Sequence, residues 1–166
     1  MHDILITADN LSYKINENRL FSSVSFSLKK GECLHIKGSN GSGKSTLLRI
    51  ILGITSPTKG EIKAHVKKNI AYLGHKNALK SYLSVEDNIT LMGFSNHKDL
   101  KEYLETLSLK KLLDIKVANL SYGQQKKLAL LRIFLGNTNL IVLDEPFVGL
   151  DIENQNILSN FLNKQL

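Results

Sequence analysis

Apolar and polar residues alternate early in the chain. Val24, Phe26 and Leu28 are interleaved with Ser23, Ser25 and Ser27, the period-two pattern of a half-buried strand. Residues 32–37 form a short, mostly apolar run, which predicts a second strand. A glycine-rich stretch over 38–43 follows, and Lys44–Leu52 reads as a helix that Gly53 stops. Pro57, Lys59 and Gly60 predict a turn, the alternation of Ile62, Ala64 and Val66 another strand, and Ile70–Leu73 one more.

The period then changes. Ser84 and Asp87 have capping-box spacing and open a short helix. Leu100, Tyr103, Leu104 and Leu107 recur at i, i+3, i+4 and i+7, the apolar face of an amphipathic helix. Leu109, Leu112 and Leu113 suggest the start of another. Packing onto its own domain is the favoured use of this stripe over docking to a partner. The last third returns to α/β order. Ser121 begins a helix carrying Leu128, Leu131 and Leu135, Asn139–Leu143 is a buried-type strand, and Asp151 caps a helix with Ile157, Leu158, Phe161 and Leu162 on one face.

The 166 residues predict one domain, with 42% hydrophobic and 22% charged residues, a globular composition rather than a disordered one. The net charge of +7 suits an anionic partner such as a nucleotide, a nucleic acid or an acidic membrane face. Scattered solvated lysines explain it equally well. The lone Cys33 cannot close an internal disulfide, which predicts a reducing compartment, and its apolar neighbours predict a buried thiol. The N-terminus lacks the pattern of a secretory signal. No apolar stretch approaches the roughly 20 residues of a membrane helix, so a soluble, cytosol-side chain is expected.

Three motifs carry chemistry. Gly38-Ser39-Asn40-Gly41-Ser42-Gly43-Lys44-Ser45-Thr46 fits the P-loop pattern G-x-x-x-x-G-K-[ST]. Its glycines let successive N–H groups face phosphate oxygens, and the following helix adds its positive end. Lys44 can reach the β- and γ-phosphates of a nucleotide, and the Ser45 hydroxyl can ligate Mg²⁺. Asp144 and Glu145 close a buried apolar strand. There Asp144 suits the surroundings of the metal, and Glu145 suits a base acting on the attacking water. Leu120-Ser121-Tyr122-Gly123-Gln124-Gln125 opens a helix. Ser121 is an N-cap, and the same helix end, through Ser121, Gly123 and Gln124, can meet the γ-phosphate of a second nucleotide.

In this order the motifs resemble those of the nucleotide-binding subunits of ABC transporters, over nearly the whole chain. The resemblance implies an α/β P-loop ATPase with an N-terminal antiparallel β part and a helical insertion, parsed as 1–76, about 77–118 and 119–166. It implies that ATP and Mg²⁺ are bound and that Tyr13 stacks on adenine. It further implies that Val148-Gly149-Leu150-Asp151 crosses a head-to-tail dimer interface, and that an integral membrane permease docks on the helical part at the cytoplasmic face of the inner membrane. No nucleic-acid partner is expected. A narrower resemblance is to the ATP-binding subunit of the haem exporter of cytochrome c maturation, carried by the compact chain, Gly74-His75 and Gly123-Gln124-Gln125. His75 stands where most members have a glutamine near Mg²⁺ or the lytic water, a task an imidazole performs only when neutral.

Tyr122 replaces a small signature residue, so its ring must point away from the phosphate. The family also has one more strand and a switch histidine beyond the last helix read here, and the sequence to Leu166 contains neither. Because that strand lies beside the P-loop strand in the family, the resemblance predicts a gap in the sheet there. Two other functions stay open on sequence alone: a module that binds ATP with poor turnover, and an ABC-type ATPase acting on nucleic acid or ribosomes.

Overall fold

The computed structural model describes residues 4–65 and 69–166, so Val66 of the predicted alternation lies outside the described residues. The chain forms two compact units that divide after Ile70.

The first unit is built on a three-stranded antiparallel sheet ordered β2-β1-β3, with β1 Ile4–Ile15, β2 Asn18–Lys29 and β3 Lys59–Ala64. Ile6, Ala8 and Leu11 of β1 are buried. Two even positions and one odd position share this burial because the register shifts between Ala8 and Leu11. Asn10 takes φ 49° there, and its N–H donates to Ser25 Oγ at 2.8 Å. An asparagine tolerates this left-handed conformation better than most residues. The helix α1, Lys44–Ile51, buries Leu47, Ile50 and Ile51, and Gly53 at φ 70° follows its end as predicted.

Residues 32–37 correct the sequence reading. They join no sheet among the described residues, and Cys33 is exposed rather than buried. An apolar run becomes a strand only where a neighbour accepts its hydrogen bonds, and without one its backbone groups must face water.

In the second unit β4, Ile70–Leu73, pairs with β5, Leu140–Leu143. The N–H of Asp144 donates to Leu73 O at 2.8 Å, so the C-terminal ends of the two strands lie together. Between them come α2 Val85–Leu91, α3 Leu100–Thr106, two short 3₁₀ turns and α4 Tyr122–Phe134, and α5 Ile152–Asn163 follows β5. The predicted Ser84–Asp87 capping box is present in both directions. Leu109 and Leu113 flank a single 3₁₀ turn, Lys110–Leu112, rather than beginning a full helix. Leu104, Leu107, Leu128, Leu131 and Leu158 are buried in one apolar cluster with Leu73 and Val85, which locks α3, α4 and α5 around the small sheet.

Candidate functional site

The nucleotide-type elements are found on both units. In the first, the loop 38–43 leads into α1 through Gly43, which takes φ 94° and provides no side-chain cap. A Cβ at Gly43 would come within 2.9 Å of the Phe21 ring and 3.1 Å of Leu20 Cβ, so both conformation and space require glycine. With no side chain on them, the first N–H groups of α1 keep their capacity for an anion. The Lys44 ammonium donates to Gly38 O at 2.9 Å and Ser39 O at 3.0 Å. It therefore sits over the same loop that its sequence position predicts it to serve. Ser45 and Thr46 are half-buried in the first turn, whereas Asn40 and Gly41 are exposed. The N–H of Ser42 donates to Ser39 O at 3.2 Å and closes the loop.

Tyr13 is half-buried on β1, its ring stacked 6.3 Å from Phe21 across the β1–β2 pair. A cavity of about 490 Å³ in this unit is lined by Phe21, Phe26, Leu34, Ile36, Gly38 and Lys44, joining apolar walls to the loop.

In the second unit, Asp144 is 6% exposed at the end of β5. Glu145 follows with φ 50°, a left-handed backbone rare for a residue with a side chain. Gly74 and the exposed His75 leave β4 at the same end. The loop they begin is held by α4. Arg132 Nη1 donates to Asn77 O and Nη2 to Ala78 O, both at 2.6 Å, and Ala78 is at φ 50°. Burial pulls the Arg132 guanidinium below its ordinary value.

At the start of α4, Ser121 Oγ accepts from Gln124 N–H at 3.2 Å, and Gln124 Oε1 accepts from Ser121 N–H at 2.9 Å. The expected N-cap is thus a complete capping box. The Tyr122 ring lies against Gly149, where a Cβ would collide with it, and Gly149 itself takes φ 81°. Gly123 faces the carbonyl of Gly149 just as closely, since its own Cβ would stand 2.8 Å from that oxygen. The signature start and the 148–151 turn are therefore one packed unit.

Sequence reading passes over two residues of α4. Lys126 is 1% exposed, and its ammonium donates to Glu145 O at 3.3 Å. Burial lowers the Lys126 pKa, while Asp144 and Glu145 act in the opposite direction. The signal was available: Lys126 shares a helical face with the buried Ala129, Leu130 and Ile133. Arg132 carries no comparable sequence signal, because its carbonyl acceptors lie more than 50 residues away.

Residues 21–148 match the ABC transporter family. The chain belongs to that family. It is an ABC-type ATPase, a class that hydrolyses ATP in step with transport. It is 34% identical to the cytochrome c biogenesis ATP-binding export protein CcmA of Dechloromonas aromatica, over 98% of this chain and 87% of that protein. It is also 34% identical to the zinc import ATP-binding protein ZnuC of Wigglesworthia glossinidia brevipalpis, over 96% of this chain and 70% of the relative. Among solved structures, an ATP-binding subunit of an ABC transporter matches with TM-score 0.82 at 26% identity, covering 97% of this chain and 74% of that one. Subunits of this family pair with one another and work with membrane permeases. Among the described residues no helix is long and apolar enough to cross a membrane.

Proposed function

We propose that this chain is the ATPase of a haem exporter serving cytochrome c-type biogenesis. It would act as a head-to-tail dimer beneath a membrane permease at the cytoplasmic face of the inner membrane. The observation that carries the reading is the shared C-terminal end of β4 and β5, fixed by the Asp144–Leu73 hydrogen bond. It brings the Gly74-His75 pair of the narrower resemblance to the strand end bearing Asp144 and Glu145. The similarity to CcmA over most of both chains supports it.

In this reading the loop 38–43, Lys44 and Thr46 hold the phosphates, and Tyr13 stacks on adenine. Ser121, Gly123 and Gln124 meet the nucleotide bound by the second copy. Mg²⁺ prefers hard oxygen donors and keeps several waters, so one hydroxyl and one carboxylate suffice on the protein side. By the family resemblance Ser45 would supply the hydroxyl and Asp144 the carboxylate, and His75 would serve the ion or the attacking water. Bound there, the ion would supply neutralisation of the charge that builds on the phosphates. Glu145 accepts a proton from the attacking water, a task typically worth about 10²–10⁴ in rate.

Complementation tests the substrate. Expressed in a strain lacking CcmA, the chain is expected to restore c-type cytochromes carrying covalently bound haem. Rescue of zinc-limited growth in a strain lacking ZnuC, with no gain in holocytochrome, would assign it to metal import instead.

A further inference from the structure

Two adjacent lysines of α4 grip the two ends of the turn that follows β5. Lys127 Nζ lies 3.4 Å from Asp151 Oδ2 at the far end. Lys126 points inward, and its ammonium reaches Glu145 O at the near end. The second contact is the unusual one. Among the described residues no carboxylate stands within ion-pair distance of Lys126 Nζ, and the side chain is only 1% exposed. A buried ammonium is tolerated only where acceptors hold it, and the acceptor here is a main-chain carbonyl.

That carbonyl belongs to the residue with the strained backbone. Glu145 sits at φ 50°, a conformation that persists only where its surroundings fix it. The N–H of Val148 donates to the same oxygen at 3.3 Å, so the carbonyl is the pivot of the turn. The dihedral angles at Glu145 also set where its carboxylate leaves the strand.

We propose that Lys126 is a positioning residue for hydrolysis, its buried ammonium holding the Glu145 carbonyl and so the backbone from which the Glu145 carboxylate projects. The inference rests on the reading of Glu145 as the base. Lys126 touches neither nucleotide nor water in this account and acts through Glu145 alone.

The test compares Lys126→Met, Lys126→Arg and Glu145→Gln with the wild-type protein, each assembled with its permease and assayed with MgATP. Lys126→Met is expected to lower kcat at least tenfold with KM within twofold of wild type, and Lys126→Arg to keep kcat within threefold. Amide exchange in peptides covering 145–150 should quicken at least tenfold in Lys126→Met, while peptides over α2 keep their protection. A Lys126→Met kcat less than tenfold below wild type, a KM shift beyond twofold, or exchange quickened equally in α2 overturns the proposal. If Lys126→Met does not fold, Lys126→Arg decides, and a kcat loss beyond threefold counts against it. Glu145→Gln separates the two readings. If it keeps wild-type turnover, the base assignment fails. If it abolishes turnover while Lys126→Met does not slow it, only the role of Lys126 is wrong.

Discussion

The starts of α1 and α4 carry the same expectation in the sequence, a phosphate at a helix N-terminus, yet the structure builds the two ends differently. At α1 the cap is Gly43, without a side-chain hydrogen bond, and the loop before it folds around the Lys44 ammonium. At α4 Ser121 and Gln124 satisfy each other's backbone N–H groups. The first end is open by construction, and its donors gain only when an anion arrives. The second is already stable by itself, and a phosphate there must compete with the cap. The expectation is that affinity for nucleotide resides at α1, while α4 contributes stability first.

Breaking each end separately tests this contrast. The largest effect is expected for Lys44→Ala, which should weaken ATP binding at least tenfold, about 1.4 kcal/mol. The same change should leave the unfolding midpoint almost unmoved, since the lysine bonds only two loop carbonyls. Titration calorimetry and thermal unfolding on one preparation check both halves, and unchanged affinity would remove Lys44 from the site. Ser121→Ala is expected to show the reverse pattern. Losing the cap should cost about 1 kcal/mol of stability, with ATP affinity of the isolated chain unaltered. An unfolding curve that matches wild type would mean the box contributes nothing.

The smallest effect concerns a third helix start. Asp151 caps α5 by accepting from Asn154 N–H at 2.9 Å and from its side-chain amide. Those bonds, with Lys127 nearby, hold its carboxyl below the usual carboxylate range. A lowered folded pKa means the contribution is present above the unfolded value of about 3.9 and fades as pH falls through the folded one. The stability gap between wild type and Asp151→Ala should therefore be present at pH 6 and close in strongly acidic solution. A gap independent of pH would show that shape, not charge, makes the cap.

Most helix boundaries were legible because they are local. Ser84, Ser121 and Asp151 each name their own helix through a partner three residues on, and all three bonds form. The P-loop was legible for the same reason, since its glycines and lysine act within a few residues of one another. Segment 32–37 was misread because its apolar composition promises a strand, yet pairing depends on another part of the polypeptide. Cys33, read as buried with that strand, is exposed with it. The ring of Tyr122 was expected to turn from the phosphate, and it rests on Gly149, a neighbour that no spacing rule supplies.

The sequence by itself determined the nucleotide chemistry, the order of the motifs and the helix starts, because these depend on residue types and on hydrogen bonds spanning three or four positions. Tertiary structure alone decided which ends meet. It set β4 beside β5 so that His75 and Asp144 leave the sheet together, and it anchored the loop of His75 on Arg132. It also turned Lys126 inward onto the carbonyl of Glu145. These contacts join residues 19 to 71 positions apart, and their partners are chosen by how the apolar faces of α3, α4 and α5 pack, a quantity no local pattern contains.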